Sequence, residues 1–244
     1  MTVYFIGAGP GDPELVTVKG QRLVRGCPVI LYAGSLVPET VLNGHRAHTV
    51  VNTATLDLDT IIELLVAAHA RGEHVARVHS GDPSLYGAIG EQIRHLKVLG
   101  IPYEIVPGVT ATTACAATLG VELTLPEVAQ TVILTRHADK TTLPEGEVLG
   151  GLAAHRTTLA IHLGVRYLAR IVEEVRPHYG DDCPIAVVYR ASWPDEVRVT
   201  GTLADIVGKL AGTAIKRTAL ILIGRVLDAE RFADSTLYAK TSKQ

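Results

Sequence analysis

Short apolar runs alternate with helical periodicity through the first half of the chain. Residues 3–6, 28–32, 74–79 and 103–106 are brief hydrophobic stretches bounded by turn residues, the pattern of buried strands. Between them, residues 14–25, 59–71 and 86–99 carry helical spacing. In the second of these segments Ile61, Ile62, Leu64, Leu65 and Ala68 share a face, with Asp59 placed to cap its start and Gly72 to end it. Pro107-Gly108 then opens a small-residue helix over 109–119 that stops at Gly120. The order predicts a βα series with a mostly parallel sheet.

Residues 121–130 lose this periodicity and read as a connector containing Pro126. Beyond it strands are predicted at 131–135, 157–163, 184–190, 196–201 and 218–224, with helices at 165–178 and 203–210. The turn Ser192-Trp193-Pro194-Asp195 between two strand patterns predicts an antiparallel hairpin, and so a mixed second sheet. The expected organisation is an N-terminal α/β domain over residues 1–112, a helix end and linker over 113–130, and a C-terminal α/β domain over 131–244. No internal repeat is visible, and the polar tail at 229–244 carries no functional pattern.

Composition narrows the function classes. With 244 residues, 47% hydrophobic and 20% charged, the chain can bury a substantial core. A formal charge of −2 excludes the strongly basic balance of a dedicated nucleic-acid binder, so cations for an anionic ligand must be local. Cys27, Cys115 and Cys183 form no CxxC pair, which argues against a disulfide framework or zinc cluster and for a reducing compartment. Ten histidines include no HExxH pattern, and no metal site is expected. No signal-peptide pattern and no apolar run of membrane-spanning length occurs, so a cytoplasmic protein that engages no membrane is expected.

The most informative chemistry lies in Ser80-Gly81-Asp82-Pro83, which interrupts a strand-to-helix transition. Gly81 permits a sharp turn, Pro83 has a fixed φ, and Asp82 between them is an acceptor-only carboxylate. In open α/β sheets ligands bind beyond the carboxyl ends of the strands, where this loop falls. A ligand with donors or positive charge (a ribose, an amine, a sulfonium) suits that carboxylate. A helix-start turn without a ligand explains the same residues equally well. The earlier turn Gly7-Ala8-Gly9-Pro10-Gly11-Asp12-Pro13 fails as a dinucleotide fingerprint, because Asp12 stands where the third glycine should be. It reads as a rigid loop that either shapes a wall or touches a ligand.

These segments, together with Pro107-Gly108-Val109-Thr110-Ala111, resemble in order and spacing the tetrapyrrole methylases. The resemblance spans nearly the whole chain and includes His162-Leu163-Gly164 and Arg190-Ala191-Ser192-Trp193-Pro194. It implies two α/β domains with the active site in the cleft between them, S-adenosylmethionine as methyl donor (S-adenosylhomocysteine as product), a tetrapyrrole substrate and a homodimer. Within the family, Tyr32-Ala33-Gly34-Ser35-Leu36-Val37 is similar to the branch that methylates C11 of precorrin-4, or of cobalt-precorrin-4, in cobalamin biosynthesis. The uroporphyrinogen-III methylating branch would carry Asp-Arg where Gly34-Ser35 stands. That activity and a non-catalytic tetrapyrrole binder are the alternatives.

Matched residue by residue, the resemblance places donor contacts at Pro10, Ser80, Gly81, Asp82, Leu85, Thr110, Ala111, Leu163, Ala191 and Ala219. It implies a substrate fringed with carboxylates, for which arginine is the best-suited partner. Candidates are Tyr32, His79, Tyr86 and Arg190, with Arg77, Arg136, His137 and Arg217 as further cations near predicted loops. For the two tyrosines, hydrogen bonding and packing remain equally open. No general base is identifiable.

Overall fold

The structure, a computed structural model, describes residues 1–137, 143–230 and 232–235. They divide into two units: Met1–Ala114 with Ser192–Pro194, and the remaining described residues.

In the first unit five short strands form one wholly parallel sheet: β1 (Val3–Gly7), β2 (Val29–Tyr32), β3 (Thr49–Asn52), β4 (Val75–His79) and β5 (Tyr103–Val106). Their spatial order is β3-β2-β4-β1-β5, and the central strand β4 is buried at every position. Such strands read as continuous apolar runs because both faces are covered. Helices α1 (Val18–Gly26), α2 (Leu58–Ala70) and α3 (Gly90–Val98) supply that cover. Ile61, Leu65 and Ala68 of α2 and Leu96 of α3 pack with Phe5, Leu31 and Val75 on one face. Val24 of α1 packs with Ile6, Ile30 and Val78 on the other. Strand β3 has no counterpart in the sequence reading; it is an edge strand of half-buried and exposed residues, so its apolar signal is weak.

Several helix boundaries differ from the periodicity. Helix α1 begins at Val18, because Asp12 takes the Glu14 amide (2.8 Å) to close a short 3-10 turn and Thr17 caps a fresh start by accepting from Gly20 N (3.1 Å). Asp57, not Asp59, caps α2, accepting from Thr60 N at 2.9 Å. Helix α3 starts at Gly90 rather than residue 86, since Tyr86 (φ 57°) and Ala88 (φ 49°) are left-handed. Helix α4 (Ala111–Leu119) crosses the division between the units.

The second unit holds a mixed sheet of β6 (Val132–Arg136), β7 (Thr158–His162), β8 (Pro184–Tyr189), β9 (Val197–Thr202) and β10 (Ala219–Ile223), ordered β6-β7-β10-β8-β9. Only β6 and β7 pair in parallel; β8 and β9 form the expected antiparallel hairpin. Helices α5 (Leu149–Ala153), α6 (Leu168–Tyr179) and α7 (Ile206–Ala211) bury Leu149, Ile171, Val175 and Ile206 against this sheet. Helix α5 escapes prediction because its Leu-Gly-Gly-Leu-Ala sequence has poor helix propensity; burial of Leu149 and Ala153 stabilises it. Part of the polar tail, residues 231 and 236–244, lies outside the described residues.

Candidate active site

In the first unit the carboxyl ends of β4, β1 and β5 are neighbours, and the loops that leave them touch backbone to backbone. Ala8 N donates to His79 O (2.7 Å), Gly81 N to Gly9 O (2.7 Å), and Gly9 N to Gly81 O (3.2 Å). A Cβ on Gly7 would lie 2.6 Å from both Gly108 Cα and Gly81 O, and one on Gly108 would collide with Gly81 O. Glycine is therefore required at 7 and 108 by close approach. At 81 it is favoured by a φ of +61°.

Asp82 closes this knot. Its Oδ1 accepts from Ser84 N (2.7 Å) and its Oδ2 from Gly108 N (2.9 Å), so one carboxylate ties the Ser-Gly-Asp-Pro loop to the Pro-Gly loop. The sequence reading assigned Asp82 to the ligand; the structure gives both oxygens a backbone partner first, with lone pairs to spare. Ser80, Leu85, Thr110 and Ala111 stand half-buried around the same loops, as does Pro10. Pro10 O accepts from Trp193 Nε1 (2.7 Å) and Asp12 N donates to Ser192 Oγ (3.0 Å), while a Cβ on Gly11 would run into the Trp193 ring. Nothing in the local sequence links residues 11 and 193.

The substrate candidates separate by burial. Tyr86 is 45% exposed, whereas Tyr32 is 6% and His79 5% exposed. Tyr32 packs in the core, and its hydroxyl donates to Glu39 Oε1 at 3.1 Å. His79 Nε2 has no hydrogen-bond partner, and burial, aided by the charge of Arg77, pushes the imidazole down to about 3. The nearby Gly87 backbone, which favours the protonated ring, opposes that shift.

In the second unit the carboxyl ends of β7 and β8 meet the start of the antiparallel β10. Ala219 pairs with Tyr189, Ile221 with Ile161, and Arg190 N donates to Thr218 O at 3.0 Å. This register brings Leu163, Ala191 and Ala219 to one end of the sheet. Leu163 (φ 55°), Arg190 (φ 48°) and Thr218 (φ 57°) are all left-handed there. Such conformations cost on the order of 1–3 kcal/mol each, and they concentrate at functional sites. Thr218 belongs to this group too; it opens a segment that shares the family resemblance, though only its neighbour Ala219 is matched to the donor. Arg190 Nη1 donates to Asp195 Oδ2 (2.6 Å), and its guanidinium lies 5.8 Å from the Tyr189 ring centroid. Nearby, His137 stacks on Tyr167 at 4.6 Å, and burial pushes His162 down to about 4. Among the described residues no three His, Cys, Asp or Glu are placed to hold a metal ion, and no helix is long and apolar enough to cross a membrane.

Residues 2–207 match the family described as Tetrapyrrole (Corrin/Porphyrin) Methylases. The chain belongs to the tetrapyrrole methylases. A precorrin-4 C(11)-methyltransferase from Pseudomonas aeruginosa is 74% identical over 98% of this chain and 95% of its own length. The cobalt-precorrin-4 C(11)-methyltransferase of Methanocaldococcus jannaschii is 49% identical over 98% and 93%. Among solved structures, the cobalamin biosynthetic enzyme cobalt precorrin-4 methyltransferase, CbiF, superposes with a TM-score of 0.90 at 42% identity, covering 93% of this chain and 96% of that one. Uroporphyrin-III C-methyl transferase from Thermus thermophilus, complexed with S-adenyl homocysteine, gives 0.76 at 33% identity, covering 93% and 99%. Small or absent side chains (Gly81, Ala111, Ala191, Ala219) leave backbone groups approachable, and Ser80, Thr110 and Asp82 offer hydroxyl and carboxylate oxygens.

The two depressed imidazoles set a pH dependence. His79 and His162 titrate in the native state near 3 and 4, against 6.5 when unfolded, so the native state binds fewer protons in that interval. Their contribution is complete above pH 6.5 and falls as the pH drops through 6 towards 4, at up to about 1.4 kcal/mol per pH unit each. Urea midpoints should therefore decline steadily from pH 6.5 to pH 4.5; a flat profile would contradict both burials.

Proposed function

We infer that this chain transfers the methyl group of S-adenosylmethionine to C11 of precorrin-4, or of its cobalt-containing counterpart, to give precorrin-5 in cobalamin biosynthesis. The observation that carries this reading is the near-complete match, at 74% identity, to the Pseudomonas aeruginosa precorrin-4 C(11)-methyltransferase. A packing detail supports it over the uroporphyrinogen-III alternative. A Cβ on Gly34 would press on the exposed Asn52 side chain, whose Oδ1 accepts from Gly34 N (3.2 Å), so the Asp of that branch would displace Asn52 and break this bond.

The donor, when bound, supplies a methyl already activated on a sulfonium. The chain's task is to align and to exclude water, which needs neither a nucleophilic triad nor a metal. In the first unit we assign donor binding to Pro10, Ser80, Gly81, Asp82, Leu85, Thr110 and Ala111, with the glycine knot holding these loops in register. In the second unit we assign it to Leu163, Ala191 and Ala219. Tyr86 and Arg190 face the substrate in this reading, and the buried Tyr32 and His79 stand behind such contacts. The resemblance also supports a cytoplasmic homodimer that engages no nucleic acid; sedimentation should give twice the 26.0 kDa chain mass.

Incubation with precorrin-4 and a methyl-labelled donor tests the assignment directly: NMR should place the label at C11. Label at another carbon, or none transferred, refutes it. Arg190→Ala should raise the Michaelis constant for the tetrapyrrole about tenfold while S-adenosylhomocysteine affinity stays within about twofold, as expected for loss of one charge-assisted carboxylate contact. The reverse split, read by kinetics and titration calorimetry, would remove Arg190 from the substrate site.

A further inference from the structure

Strand β4 places Arg77 and His79 on one face, two residues apart, and Gln92 of α3 meets Arg77. All three are nearly sealed from solvent, at 4%, 5% and 4% exposure. Arg77 Nε donates to Gln92 Oε1 (3.1 Å) and Nη1 to Leu31 O (3.4 Å), with no carboxylate as partner among the described residues. Gln92 Nε2 in turn donates to Ala88 O (2.9 Å). The Ala88 carbonyl of a tight loop is thus held from inside by a buried polar chain. That loop carries left-handed Tyr86 and Ala88, and a Cβ on Gly87 would collide with Pro83 O. Left-handed residues persist only where their surroundings over-determine them.

We propose that Gln92, fixed by Arg77, is a positioning residue: it clamps residues 86–88 in the strained conformation that presents Leu85 and Tyr86 to the ligands. Gln92 must accept from a guanidinium on one side and donate to a carbonyl on the other, and an amide does both. Glutamate would keep the Arg77 contact and neutralise its charge, yet turn an oxygen without a proton towards Ala88 O. The chemistry of position 92 therefore separates holding the core from holding the loop. The choice of Tyr86 and Leu85 as ligand contacts rests on the methyl-transfer reading; the clamp itself does not.

Gln92→Glu makes the separation measurable. Its thermal midpoint should equal or exceed the parent's, because Arg77 gains a counter-charge. Backbone amides of residues 86–89 should exchange about tenfold faster, the effect of losing one buried hydrogen bond to the loop. The Michaelis constant for the tetrapyrrole should rise about tenfold with kcat within about threefold, since the loss is in binding geometry. Parent-like exchange at 86–89, or faster exchange with an unchanged Michaelis constant, overturns the proposal. If Gln92→Glu fails to fold, the apolar pair Arg77→Met with Gln92→Leu takes its place, because buried polar groups exchanged together for apolar ones of similar volume are often tolerated. The same loosening at 86–89 is then required, and parent-like protection overturns the clamp. Should the parent enzyme methylate no tetrapyrrole, the functional reading fails, while exchange in the variants still decides whether the clamp exists.

Discussion

Gly108→Ala is expected to lower S-adenosylhomocysteine affinity by at least about a hundredfold and to cost roughly 1–3 kcal/mol of stability, the usual range for forced overpacking. The added methyl collides with Gly81 O, a backbone atom that cannot rotate away. Relief requires the Pro-Gly loop to part from the Ser-Gly-Asp-Pro loop, which breaks the Gly108 N to Asp82 Oδ2 bond at the same time. Gly7→Ala meets Gly108 Cα and Gly81 O at 2.6 Å and should behave alike. Titration calorimetry and urea melts measure both effects. Parent-like affinity in a folded Gly108→Ala protein would show that the register of these loops does not hold the donor.

Asp82→Ala is the second large effect. It removes the acceptor of Ser84 N and Gly108 N together, and hydrogen bonds to a charged group are worth roughly 1.5–3 kcal/mol each. Donor affinity should fall at least about thirtyfold, through lost loop order as well as through any direct contact. Asp12→Ala removes only the acceptor of Glu14 N in a short turn, about 1 kcal/mol, and should change donor affinity less than about threefold. Asp82→Asn keeps one acceptor oxygen and should fall between. Equal affinities in Asp82→Ala and Asp12→Ala would mean that the wrong loop has been assigned to the donor.

Much of the first unit was legible because its signals are local. The apolar runs of β1, β2, β4 and β5, the Gly/Pro turn, the Ser-Gly-Asp-Pro loop and the Pro-Gly helix start each announce themselves within a few residues. The hairpin of β8 and β9 was equally visible, since its turn chemistry lies between two strand patterns. Strand β3 and helix α5 were not, because an edge position and a core contact stabilise sequences with weak intrinsic preference. The cap of α2 moved from Asp59 to Asp57 for a similar reason: two aspartates compete, and the geometry at Thr60 N selects one.

The sequence by itself determined two α/β units, a parallel and a mixed sheet, the glycine- and proline-marked loops and the family to which the chain belongs. Those properties follow from hydrophobic period, turn residues and motif spacing, which are short-range. Only the tertiary structure decided that Asp82 staples two loops, that Trp193 covers Gly11, that Tyr32 and His79 are buried while Tyr86 is not, and that Gln92 bridges Arg77 to Ala88 O. It also decided that Leu163, Arg190 and Thr218 adopt a backbone conformation their side chains disfavour. Each of these depends on partners distant in sequence or on strain that the surrounding structure imposes, and neither leaves a mark in the local pattern of residues.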